Sequence, residues 1–333
     1  MISVSFFYLC HNFIKQVNMM TRYVYILFAL LSVAFLSCRR NASVSEGESQ
    51  INEENRDNRQ GRTQWDSQRD ETVEDEEEEA SEFEFDAKML MVKMDDDMPS
   101  QILRRKAYIT SYNHDTRCPN WVAWQLTGEH TTGPYKRNGV PFYTSDGKAY
   151  GIGRVTEDMV RGNYIIDMQA EEPRQQLEDW SHEYNMSHGH ICPAGDNKWD
   201  KAAMNQTFLL TNMCPQDRTL NSGGWNKVEE KCRKWANRFG EVFIVAGPIF
   251  RNTTHRKLGD IPIPEAFYKV ILCMNGSPKA IGFIYENNPS SQSMQDTMCS
   301  VDEVERQTGF DFFSQLPDDV ENDIEATCNL NAW

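Results

Sequence analysis

Between Arg39 and Ser100 the chain carries 20 acidic side chains against 8 basic ones, including the run "EDEEEEASEFEFD", and few large apolar residues. Such a segment cannot bury enough apolar surface to offset the conformational entropy lost on folding. Residues 39–100 therefore read as a disordered acidic linker, and the folded domain has to be built from residues 101–333. The same split removes overall charge as a guide to function. Of the formal net charge of −16, the linker holds −12 and the preceding stretch +2 through Lys15 and Arg22, which leaves −6 for residues 101–333.

Residues 1–38 read as a leader, with a start at Met19 or Met20 as an alternative to Met1. In "MMTRYVYILFALLSVAFLSC" a basic Arg22 precedes an apolar run from Val24 to Leu36, followed by Ser37 and Cys38. The run is short for a membrane span and suits a signal peptide. "FLSC" resembles a bacterial lipobox, with Phe35 an unusual residue at its first position. It implies cleavage before Cys38, a lipid anchor on that thiol, and a periplasmic or outer-membrane lipoprotein. An uncleaved anchor, the other reading, also leaves the remainder outside the cytoplasm. Export would permit disulfides among the seven cysteines at 118, 192, 214, 232, 273, 299 and 328. Their odd number leaves at least one thiol unpaired, and the absence of a CxxC pair argues against a zinc ribbon.

From Gln101 the texture becomes that of a mixed α+β domain. "NWVAWQLTGEH" reads as a strand, with Trp121, Ala123 and Gln125 on one face and Val122, Trp124 and Leu126 on the other. "EVFIVAGPIF" is continuous, β-branched and apolar, as a buried central strand should be. "AFYKVILCM" and "KAIGFIYEN" are two further strands joined by the turn "NGSPK". In "NSGGWNKVEEKCRKWANRFG", Trp225, Val228, Cys232, Trp235 and Phe239 recur at helical spacing and Gly240 supplies the stop. Shorter helices are expected in "DKAAMNQTFLLTN", "SVDEVERQTG" and "LPDDVENDIEATC".

Asn221 opens the long helix and Glu229 follows eight residues later. On a regular helix that spacing is some 80° past two full turns, so both side chains can lean toward one side. An amide oxygen beside a carboxylate suits a hard cation such as Mg²⁺, with water filling the other positions. A neutral imidazole opposite could take a proton from an attacking water. In isolation, a histidine such as His190 in "MSHGHICPAGDNKWD" is more often an ordinary strand histidine than a base. His188, His190 and Cys192 on one strand face would make a soft-metal site, but the turn at Pro193 draws the cysteine away.

The stretch "SHGHICPAGDNKWDKAAMNQTFLLTNMCPQDRTLNSGGWNKVEE" resembles the core of the DNA/RNA non-specific endonucleases, the ββα-metal nucleases of the Serratia nuclease and endonuclease G type. The matching positions are Gly189-His190, Pro193-Ala194-Gly195-Asp196, Asn205 with Phe208, Asn212 with Pro215-Gln216, and Asn221-Ser222-Gly223-Gly224-Trp225 with Glu229. The resemblance implies a ββα-metal fold, a central antiparallel sheet flanked by helices. It also implies hydrolysis of DNA and RNA with little sequence preference, giving 5′-phosphate ends. His190 would be the general base, Asn221 the protein ligand of Mg²⁺ (Mn²⁺ as a substitute), Glu229 the holder of one of the metal's waters, and Asn212 a support. Where the family has Asp-Arg, this chain has Ser187-His188, so the arginine that binds the scissile phosphate is missing. Protonated His188 could replace its charge, favouring activity at lower pH, or Arg137 in "GPYKRNG" could; Lys198 and Arg233 are further candidates for substrate binding. The alternative is a degenerate nuclease-fold protein that binds nucleic acid or a protein partner without cutting. A third reading, zinc held by His188 and His190, predicts tight zinc binding that His188→Ala abolishes.

Overall fold

The β-branched and aromatic run at residues 241–249 forms the middle of a seven-stranded sheet, as a strand apolar on both faces must. The structure is a computed structural model and describes residues 90–137, 152, 155–181 and 185–333. The leader, Cys38 and the linker as far as residue 89 lie outside the described residues.

The sheet strands are β1 (Gln101–Arg104), β2 (Ile109–Asn113), β3 (Cys118–Thr127), β6 (Glu241–Ile249), β7 (Ala266–Cys273), β8 (Lys279–Glu286) and β9 (Met298–Cys299), hydrogen-bonded in that order. Every neighbouring pair is antiparallel. A separate pair, β4 (Met186–His190) and β5 (Met213–Asp217), lies off the main sheet, with helix α1 (Lys201–Gln206) in the connection between its strands. Helix α2 spans Asn226–Phe239, α3 Val301–Thr308 and α4 Asp318–Glu325.

Strand alternation sends side chains to two cores. On one face Val122, Trp124, Leu126, Ile244 and Phe283 pack with Val228, Cys232, Trp235 and Ala236 of α2. On the other, Trp121, Ala123, Val245 and Val270 pack with Val301 and Val304 of α3 and Ile324 of α4. The face assignment expected for the 121–126 strand is the one found, and Trp225 and Trp235 are core residues.

One expectation changes. The acidic linker does not extend to Ser100: Leu90 and Val92 are buried in the second core, and Lys93 pairs through its backbone with Asp311. The apolar group "MLMV" carries that packing, and the acidic residues around it obscured it. The seven cysteines of the domain are all free thiols, with Cys118, Cys192, Cys214, Cys232 and Cys273 buried as small apolar residues.

Candidate active site

Strand β4 delivers the histidines. Its register with β5 places Gly189 opposite Cys214 and His190 opposite Met213. A Cβ at Gly189 would come within 2.5 Å of the Gln216 Cβ, so only glycine lets the two strands approach this closely. Beyond β4 the chain is held by Asn212. Its side-chain carbonyl accepts from the Cys192 N–H at 2.9 Å, and its amide donates to the carbonyls of Cys192 (2.9 Å) and Thr207 (2.8 Å). Asn212 is fully buried and does not line the cleft described below; it fixes the backbone just after His190.

The helix that supplies the other half of the site starts at Asp217, whose carboxylate caps it by accepting from the Thr219 N–H at 2.7 Å. Residues Asn221–Trp225 form a π-helical turn before α2 begins. This departs from the regular helix expected from the sequence. A π turn takes one more residue per turn than an α turn, so it absorbs much of the phase difference between Asn221 and Glu229. Trp225 then donates its indole N–H to the His190 carbonyl at 3.3 Å, tying helix to strand.

His190, Asn221 and Glu229 line one cleft of about 500 Å³, together with Lys136, Arg137, Lys198 and Arg233. His190 is buried at 8% exposure, packs edge-on against Phe208 at 5.0 Å, and leaves Nε2 without a hydrogen-bond partner. Burial first, then the charge of Arg137, lower its pKa to about 3, so the imidazole is neutral at physiological pH. The Glu229 carboxyl is pushed up to about 7, again by burial first; Lys269, Arg233 and Arg137 oppose the rise and Asp196 adds to it. No protein hydrogen bond among the described residues engages the side chains of Asn221 or Glu229. Two uncommitted oxygen donors and an unpartnered imidazole nitrogen fit a hard divalent cation beside a base.

His188 does something different from either role considered for it. Its ring is sandwiched between Tyr164 and Trp180, each stacked at 3.8 Å. Burial, with Arg137 and Arg161 nearby, lowers its pKa to about 4. At neutral pH it is therefore uncharged, stacked between two rings rather than presented to the cleft as a cation. Arg137 lines the cleft, lies over the Phe208 ring at 5.7 Å and donates to the Tyr164 hydroxyl at 3.1 Å. Among the described residues, no group of three or more histidine, cysteine or carboxylate ligands includes His188, His190 or Cys192.

Of the lesser candidates, Lys198 lines the cleft. Arg233 does too, but it is committed to a 2.8 Å ion pair with the buried Asp196, whose other oxygen accepts from the Trp124 indole at 3.1 Å. Arg233 thus joins α2 to the Pro-Ala-Gly-Asp turn. Sequence reasoning missed Tyr164 and Trp180, which lie in segments without periodicity. It also missed Lys136, the neighbour of Arg137, and Lys269. That lysine was visible as a lone charge within "AFYKVILC". It is 1% exposed, its ammonium lies 4.4 Å from the Trp225 ring and 4.7 Å from the Trp124 ring, and it has no hydrogen-bond partner.

The family profile described as DNA/RNA non-specific endonuclease matches residues 86–319. The chain belongs to that family. It is 28% identical over 226 residues to the mitochondrial nuclease EXOG of Danio rerio, a match covering 63% of this chain and 60% of that protein. With nuclease C1 of Cunninghamella echinulata var. echinulata it shares 31% identity over 247 residues, covering 69% and 90%. The match thus spans about 60% of the length of the mitochondrial EXOG relatives. A chain in the crystal structure of the EndoG/EndoGI complex superposes with a TM-score of 0.53 at 20% identity, over 66% of this chain and 89% of that one. That likeness concerns the fold, and the family fold is the one observed: an antiparallel sheet flanked by helices, with β4, β5 and α2 as its ββα unit.

Proposed function

We propose that this chain is a metal-dependent nuclease that hydrolyses phosphodiester bonds in DNA and RNA with little sequence preference and leaves 5′-phosphate ends. The observation that carries the reading is the neutral, unpartnered His190 in the same cleft as Asn221 and Glu229. His190 would take the proton of the attacking water. Asn221 would hold Mg²⁺, or Mn²⁺ in its place, with Glu229 beside it. Such an ion supplies Lewis-acid stabilisation of the charge developing at phosphorus. Arg137 would bind a phosphate oxygen, and Lys136 and Lys198 would extend the contact along the backbone. Cationic side chains reading phosphate give affinity without base selection.

We also read Cys38 as the lipidation site and residues 39–89 as an acidic tether holding the domain away from a membrane outside the cytoplasm. The lipobox-like "FLSC" supports this. Labelled palmitate incorporated by the wild-type chain and lost in Cys38→Ala would agree; equal labelling would discard the anchor.

Digestion of supercoiled plasmid and of RNA, with Mg²⁺ or with EDTA, tests the activity. Cutting that needs the metal and falls by at least about 10²-fold in His190→Ala is the expected result. Folded protein that binds DNA but cuts under no pH or divalent metal would establish the degenerate reading instead.

A further inference from the structure

On the sheet face opposite the catalytic cleft, α3 and α4 bring three carboxylates together. Val301 and Val304 anchor α3 in the second core, which places Asp302 and Glu305, one turn apart, on a neighbouring side of the helix. Ile324 anchors α4 in the same core and sets Glu325 beside them. One oxygen from each of Asp302, Glu305 and Glu325 lies within 4.8 Å of those of the other two.

Glu325 distinguishes this cluster from an ordinary acidic surface. It is only 5% exposed, and its Oε1 has no hydrogen-bond partner. One Glu305 oxygen accepts from the Phe312 N–H at 2.8 Å, so that carboxylate is oriented by the backbone. The charged groups acting on Glu325 are carboxylates: Glu305, Glu321, Asp302 and Asp311. Lys93, at the rim, is paired with Asp311 at 3.1 Å. A buried carboxylate surrounded by like charge needs a proton or a cation.

We propose that Asp302, Glu305 and Glu325 form a second divalent-cation site, of Ca²⁺ type, which ties α3 to α4. Oxygens held at about 2.3–2.6 Å from one ion stand up to roughly 5 Å apart, so the observed spacing accommodates Ca²⁺. Mg²⁺ demands a tighter octahedron and gives up water reluctantly. Here one ligand is buried, one half-buried and one exposed, which suits the flexible shell of Ca²⁺, with waters on the Asp302 side. The site shares no residue with the cleft and stands independently of the nuclease reading.

Thermal unfolding of the full chain carrying Asn221→Ala and Glu229→Gln, which removes the cleft's own cation ligands, stripped with EDTA and then titrated with CaCl₂ or MgCl₂, tests it. Saturating Ca²⁺ should raise Tm by roughly 5 °C, and Mg²⁺ should do less. The rise should disappear in Glu325→Gln and in Asp302→Asn, the second of which changes an exposed side chain and leaves packing intact. No Ca²⁺-dependent rise, or an equal rise in Asp302→Asn, would overturn the site. A larger effect of Mg²⁺ would overturn its assignment to Ca²⁺.

Discussion

His188 lies face to face with Tyr164, ring centroids 3.8 Å apart and planes 10° from parallel, while the hydroxyl of the same Tyr164 receives a hydrogen bond from Arg137. The residue standing where the family has arginine thus holds the ring that orients a different arginine.

The stack makes His188→Phe and His188→Ala behave differently. Phenylalanine keeps an aromatic ring between Tyr164 and Trp180, so cleavage at neutral pH should stay within a few-fold of wild type. Alanine opens the sandwich and should lower kcat/KM by roughly tenfold. Equal losses in both variants would show that an imidazole nitrogen, not the stacked ring, matters.

Acid stability follows from the same residues. His188 and His190 have folded pKa values of about 4 and about 3, below the ordinary 6.5, so their neutral forms favour the fold. That stabilisation is complete above pH 6.5. It is lost as pH falls from 6.5 toward 4, because the unfolded chain takes up protons that the folded one excludes. Chemical denaturation between pH 7 and pH 4.5 should show stability declining, with a shallower decline in His188→Phe. Unchanged slopes would contradict the burial of these rings.

Arg137→Ala should lower kcat/KM by roughly 10- to 100-fold and reduce the salt dependence of nucleic-acid binding by about one phosphate contact. Arg137→Lys should recover only part, because an ammonium neither forks onto a phosphate nor stacks on Phe208 in the same way. Wild-type salt dependence in the alanine variant would remove Arg137 from the substrate path.

Glu229, raised to about 7, predicts competition between protons and the metal. The half-saturating Mg²⁺ concentration should rise by up to about tenfold per unit as pH falls below 7. Glu229→Gln should abolish that dependence along with most of the activity. A constant half-saturating concentration from pH 6 to pH 8 would place Glu229 outside the metal's reach.

The main strands and helices were legible because each carries its own periodicity, down to the faces of Trp121 and Trp124 and the Gly240 stop. The pair β4–β5 was only half legible: "MCPQD" is too polar and proline-broken to read as a strand, and its pairing depends on the glycine at 189. The site was legible as a set of residue types at family spacing. What those residues do individually was not, because it depends on partners distant in sequence. Arg233 is taken by Asp196, 37 positions away, and His188 is enclosed by Tyr164 and Trp180, whose segments carry no pattern.

Lys269 lies behind Trp225 and Trp124, sealed from solvent, yet close enough to pull the Glu229 carboxyl toward ionisation. Mobile ions cannot reach it, whereas they crowd around Arg137 and Lys136 at the mouth. The cleft therefore has two electrostatic compartments. Its grip on a polyanion loosens with ionic strength, while the field under the reacting groups stays fixed, so salt should govern how often the substrate is held more than how fast a held substrate reacts.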